Sequence, residues 1–235
     1  MSFKTIFGLN QDEIQETCVL LPHLPKGILN YLRVPQLSRG KIYASGNNHH
    51  FSVIHTKIGA PLCGDAVLYL KSTRCENIIF LGTCGLINET DRLDIGSIVC
   101  PEDCLEMESF SQALVGMNKV ENYSYPEDRL LNNFLECAQE IGVCRTKGVS
   151  FGSLKLEEQY IGYLTKRGIE VVDMECSALF AAAQNIKCRV FSVMVCTDIV
   201  GKKPFYRTYS QDDQESINGA VKKTAEMVYQ FVAEM

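Results

Sequence analysis

VVDMECSALFAAAQ, residues 171–184, sets two carboxylates, Asp173 and Glu175, between a β-branched run and a run of small and apolar residues. IEVV (169–172) reads as a strand that ends there and CSALFAAAQ (176–184) as a helix that begins. A carboxylate buried at such a corner is costly unless something pairs with it, so each acid needs either a protein partner or a ligand. Glu175 is open to two readings at this point: a first-turn acid favoured by the helix dipole, or a ligand-binding group beside helix amides.

The strand-to-helix corner is the repeating unit of the chain. Further short Val/Ile-rich runs occur at TCVLL (17–21), HFSVIHT (50–56), NIIFLGT (77–83), GSIVCP (96–101), KGVSF (147–151) and RVFSVMVCT (189–197). They read as buried strands. Helical patterns lie between them at 62–72, 126–142, 156–168 and 175–186, and apolar spacing of three and four predicts a last helix over 214–235. Strands alternating with helices predict an α/β layered fold with a largely parallel central sheet. No linker, repeat or low-complexity segment interrupts the 235 residues, so 1–235 is read as a single domain.

Composition narrows the function. With 46% hydrophobic and 22% charged residues the chain can bury a core. Its formal net charge of −5 leaves no basic excess for a nucleic-acid partner. No segment is long and apolar enough for a signal peptide or a membrane span, and a cytoplasmic location is expected. The eleven cysteines are scattered without a CxxC pair, the pattern of reduced buried thiols rather than of a zinc or redox site. Neither a metal cluster nor a GxGxxG after the first strand is present, so no metal or organic cofactor is expected.

In parallel α/β sheets ligands gather at the carboxyl ends of strands, and three polar motifs fall there. Gly82, Thr83, Cys84 and Gly85 read as a turn whose amides approach an anion or a sugar, or as an ordinary strand-to-loop turn. Met174 and Glu175 form the second motif. Thr197 and Asp198 form the third, where a carboxyl at the end of a buried strand either donates a proton or serves as a cap.

TKIGAPLCGDAVLYL (56–70), IIFLGTCG (78–85), VVDMECSALF (171–180) and VMVCTD (193–198) together resemble the superfamily of purine nucleoside phosphorylases, uridine phosphorylases and methylthioadenosine nucleosidases over nearly the whole chain. The resemblance implies a three-layer phosphorylase/hydrolase-like fold and cleavage of the N-glycosidic bond of a nucleoside. It implies that Glu175 binds the ribose hydroxyls, that Met174 packs on the sugar, and that Asp198 protonates a departing purine. Thr83, with Gly82, Cys84 and Gly85, is implied at the phosphate and sugar. A homo-oligomer, dimer or hexamer, is implied as well, with phosphate as co-substrate and ribose 1-phosphate as product.

The chain also departs from the family pattern. The glycine and arginine of its N-terminal phosphate motif are replaced in LLPHLPKGIL (20–29), and Phe80 stands where a second phosphate arginine is usual. Arg39 is the candidate for a third, lent by a neighbouring subunit, and His23, Lys26 and Lys57 are further sources of positive charge. Bidentate guanidinium clamps are not reproduced by a lone lysine. A nucleoside phosphorylase is therefore the first expectation. Hydrolysis by water and non-catalytic nucleoside binding are the alternatives. Phe151 in VSFGSLKLEE (149–158) is taken as the contact to the base, with Leu154 also available to line the site.

Overall fold

The computed structural model describes residues 2–109 and 121–235. The strand runs legible in the sequence become β1 (Thr17–Leu21), β4 (Ser52–His55), β5 (Asn77–Leu86), β6 (Ile98–Met107), β8 (Cys144–Phe151), β9 (Val171–Asp173) and β10 (Arg189–Ile199). Three shorter strands join them: β2 (Ser38–Arg39), β3 (Ala44–Asn47) and β7 (Tyr123–Ser124). The helices among the described residues are α1 (Phe3–Phe7), α2 (Ile28–Tyr31), α3 (Ala60–Leu70), α4 (Asp128–Cys137), α5 (Glu157–Thr165), α6 (Cys176–Ile186) and α7 (Gln211–Ala233). Among the described residues no helix is long and apolar enough to cross a membrane.

The ten strands among the described residues form one mixed sheet in the order β2–β3–β4–β1–β5–β9–β8–β6–β10, with β7 on β6. β10 also pairs with β5, so β5, β9, β8, β6 and β10 close into a ring. The long ladders, β5 with β10 and β6 with β8, are parallel, whereas β9 meets β5 and β6 meets β10 antiparallel. Residues 33–50, legible only as a loop, contain the antiparallel edge hairpin β2–β3. Backbone fixes that hairpin on α1: Lys41 N–H donates to Thr5 O, and a Cβ at Gly40 would lie 2.1 Å from Ile6 O.

The core follows from the strand composition. β1 is buried at every residue, and β5 at all but Thr83, as expected of strands covered on both faces. α4, α6 and α7 pack on β10. At their centre Phe191 (0% exposed) lies 4.7 Å from the Phe134 ring and 6.1 Å from that of Phe231. Gly64 of α3 faces Ala178 of α6, small residues that let the two helices approach closely. Truncating the central ring removes a filled volume that its neighbours cannot recover. Phe191→Ala is expected to lower the unfolding free energy by about 3–5 kcal/mol, read as a reduced urea midpoint with the m-value unchanged.

Candidate active site

The corner at 173–176 is built by Asp173. Its Oδ2 accepts the backbone N–H groups of Glu175 (3.1 Å) and Cys176 (2.7 Å), and its Oδ1 accepts the Ser150 hydroxyl at 2.6 Å. Ser150 Oγ in turn accepts the Ser177 N–H at 2.8 Å. Asp173 thus satisfies the first amides of α6 from just before the helix. Burial raises its pKa while these hydrogen bonds pull the other way.

Glu175 occupies the N-cap position of α6 but makes no cap bond with its side chain. Instead its Oε1 accepts the N–H of Gly59 at 2.5 Å, at the start of α3. Gly59 has φ +117°, a backbone region open to glycine and strained for other residues. Glu175 is 4% exposed, and burial, reinforced by the charge of Asp173, pushes its pKa up to about 8.

Asp198 arrives from β10. The β5–β10 ladder shifts register between Cys196 and Asp198, a bulge that leaves Thr197 unpaired and re-aims the side chains beyond it. The Thr197 hydroxyl donates to Asp198 Oδ1 at 2.9 Å. Burial holds the Asp198 carboxyl above its ordinary range. A Cβ on Gly85 would come within 2.9 Å of Asp198 Oδ2, so glycine there makes room for the acid.

These groups line one cavity of about 350 Å³, within the usual span of small-molecule sites of roughly 300–1,000 Å³. Thr83, Cys84 and Gly85 line it together with Asp173, Met174, Glu175 and Asp198. Pro22, His23 and Ile58 are also on its wall, and Leu154, Phe205 and Tyr209 add further apolar surface. Among the described residues no Arg or Lys lines it.

Several sequence expectations need correction. Gly82–Gly85 is not a turn: β5 runs on to Leu86, its pairing with β10 continuing to Leu86↔Ile199. Thr83, Cys84 and Gly85 therefore reach the cavity from a strand. Gly82 does not line this cavity. A Cβ there would sit 2.4 Å from the Phe80 ring, so Gly82 accommodates a core aromatic. Phe151 is also a core residue, 1% exposed and 5.1 Å from the Tyr160 ring. Strand alternation explains it: Ser150 turns to Asp173, so Phe151 turns away. Arg39 is exposed on the edge hairpin and does not line the cavity of its own chain.

Glu157 was not legible in the sequence. It reads as a solvated first-turn acid of a helix beginning LEEQY, yet it is 7% exposed and lines the cavity. Burial, then the charge of Asp198, then that of Glu158, push its pKa up to about 8. Phe205 and Tyr209 were likewise unmarked, because nothing local in KKPFYRTYS shows that this loop returns over the strand ends.

The family model of the phosphorylase superfamily matches residues 30–233. The chain belongs to this superfamily. No curated protein matches the sequence, but solved structures of the same fold do. Uridine phosphorylase from Vibrio fischeri ES114 superposes with a TM-score of 0.81 at 19% identity, over 100% of this chain and 99% of that one. The 5'-methylthioadenosine/S-adenosyl homocysteine nucleosidase of Campylobacter jejuni gives 0.74 at 14%, over 94% and 99%. Purine nucleoside phosphorylase from Toxoplasma gondii gives 0.71 at 17%, over 97% and 95%. Superfamily neighbours thus include both phosphorylases and nucleosidases.

The buried acids make stability depend on pH. Glu157 and Glu175 titrate near 8 when folded and near 4.5 as ordinary side chains, so between those values the folded chain holds more protons than the unfolded one. Stability contributed by these groups is therefore present below pH 4.5 and is lost as pH rises toward 8. The melting temperature is expected to fall more steeply from pH 5 to 8 in the native chain than in Glu157→Gln/Glu175→Gln, as followed by circular dichroism.

Proposed function

We propose that this cavity cleaves the N-glycosidic bond of a purine-type nucleoside and releases the free base. The observation that carries the reading is that two differently held carboxyls share one cavity. Burial raises the pKa of both, but Glu175 is fixed by the distant Gly59 amide, whereas Asp198 accepts the hydroxyl of its neighbour Thr197. An anchored acceptor suits the two hydroxyls of ribose, and Met174 beside it offers a soft apolar contact to the sugar. A neutral acid suits the leaving base.

In the proposed reaction the C1'–N9 bond breaks and its electron pair passes to the base. Asp198 delivers a proton to N7 as that charge develops, while C1' acquires oxocarbenium character. The acceptor oxygen then bonds to C1'. Water is the acceptor the lining favours: Asp173, Glu175, Glu157 and Asp198 face the cavity, and among the described residues no guanidinium or ammonium faces them. A phosphate dianion there would meet carboxylates without a clamp. Water gives free ribose, and the proton it loses restores Asp198 through solvent. No metal or organic cofactor enters this scheme.

Phosphorolysis remains the second reading on one specific observation. Thr83, half-buried, stands on the cavity wall, and Arg39, exposed on its hairpin, is free to serve another copy of the chain in a homo-oligomer.

Product analysis with inosine, adenosine, methylthioadenosine and uridine, each with and without phosphate, tests both. Free ribose or methylthioribose at equal rates in the two conditions supports water. Ribose 1-phosphate formed only with phosphate supports the second reading, and no turnover of any nucleoside would sink the catalytic one. For the turned-over substrate, Asp198→Asn is expected to lower kcat by about 10²–10⁴-fold. Glu175→Gln is expected to lower kcat/KM by roughly 10–100-fold. Activity should fall as pH rises through the elevated Asp198 pKa, because the proton donor is lost.

A further inference from the structure

Two glutamates of this chain occupy the N-cap position of a helix, and they behave differently. Glu127, before α4, turns back on its own helix and accepts the N–H groups of Arg129 and Leu130 at 3.3 and 2.7 Å. An N-cap oxygen ordinarily takes the second or third amide of the first turn in this way. Glu175, before α6, makes no such bond and reaches instead to the Gly59 N–H at the start of α3. The difference lies in what the amides of α6 already hold.

The amide that Glu175 would take, that of Ser177 at the second position of α6, is occupied from another strand. Ser150 of β8 accepts it at 2.8 Å, across 27 residues of sequence. Ser150 stands opposite Asp173 in the parallel β8–β9 ladder, and its hydroxyl donates to Asp173 Oδ1 at 2.6 Å. With that proton committed, the Cys104 thiol, 3.2 Å away, donates to Ser150 Oγ, so the single donor and both acceptor positions of the hydroxyl are used. Ser150 is 0% exposed and does not line the cavity, so a ligand held there does not touch it. Ser177 is buried as well, and its amide needs a protein acceptor.

We infer that Ser150 is a positioning residue, a helix cap supplied from a neighbouring strand that frees the Glu175 side chain for a ligand in the cavity. Asp173 and Ser150 between them hold the amides of residues 175 to 177. Removing the Ser150 oxygen leaves a buried N–H two residues beyond Glu175, the spacing at which Glu127 caps α4. The Glu175 carboxyl then turns from Gly59 to Ser177, and the cavity loses an acceptor. On the nucleoside-cleaving reading, on which this last consequence rests, the loss falls on the ribose hydroxyls.

One part of the test needs no substrate. In amide proton–nitrogen correlation spectra the Gly59 proton, donated to a carboxyl, is expected at low field in the native chain. Ser150→Ala should move it to the higher-field position that it takes in Glu175→Ala, whereas Ser150→Thr, which keeps the hydroxyl, should leave it in place. Should the alanine variant not fold, Ser150→Cys, whose thiol accepts only weakly, replaces it with the same expectation. A Gly59 resonance unmoved by alanine or cysteine overturns the proposal, and so does one displaced equally by threonine. The second part compares kcat/KM for a turned-over nucleoside and for its analogue lacking both secondary ribose hydroxyls. Ser150→Ala is expected to lower the ratio of the two by about 10-fold or more, with no further fall when combined with Glu175→Gln. An equal fall on both substrates would mean that Ser150 only supports the structure. If no nucleoside is turned over, the glycosidic reading fails by itself, and the Gly59 resonance still decides whether Ser150 positions Glu175.

Discussion

The site depends on one side chain that touches no substrate in the proposed scheme. Asp173 closes the end of β9, accepts the first amides of α6, and is itself held by Ser150 on the parallel neighbour β8. These are charge-assisted bonds in a buried setting, so each is stronger than its counterpart in water. Without them, Glu175 at the N-cap position would be the natural partner for those amides. Because Asp173 performs the capping, the Glu175 carboxyl is released to cross to Gly59 and to face the cavity. The two acids that look redundant in VVDMEC divide one local structure between them: the first stabilises the corner and the second projects from it.

The same division explains what was legible in the sequence. Seven strands and the longer helices follow from apolar runs and spacing, because burial on both faces of a sheet leaves a strong local signal. β2 and β3 left no such signal: they are an edge hairpin whose register is set by backbone contact with α1 at Gly40. Glu175, Met174, Thr83 and Asp198 were legible because strand ends carry them into one place. Phe151 was misplaced because aromatic character identifies burial without identifying a face. The residue before it, Ser150, had already taken the face toward Asp173. Glu157 was missed for the converse reason: an acid in LEEQY gives no local sign that it lines a cavity together with Phe205 and Tyr209 of a distant loop.

The ring closure between β5 and β10 brings these distant elements together. Its parallel ladder carries Cys84 and Gly85 to the level of Cys196 and Asp198, and the bulge between Cys196 and Asp198 occurs where β9 begins to pair with Gly85. Gly85 is thus crowded from both sides, by Val172 of β9 and by the Asp198 carboxyl. A side chain at this crossing would separate the acid from the floor of the cavity. The position of Asp198 is consequently a property of three strands, and the TD motif alone does not determine it.

Electrostatics connects this geometry to the choice of chemistry. Four carboxyls face a cavity whose described lining holds no guanidinium or ammonium, an arrangement that stabilises neither an anion nor the fold. Burial raises the pKa of all four, with repulsion adding to it at Glu157 and Glu175, and hydrogen bonds to the carboxyls pull the other way. Asp173, with three donors, is the best supported as an anion, and Glu175 has an amide. Asp198 has one hydroxyl, and Glu157 has no donor among the described residues. Glu175, despite its amide partner, is pushed up to about 8 as Glu157 is, so burial and the charge of Asp173 outweigh that one bond. Burial that costs stability thus keeps protons on acids facing the cavity, and in the proposed reaction Asp198 delivers such a proton to the departing base.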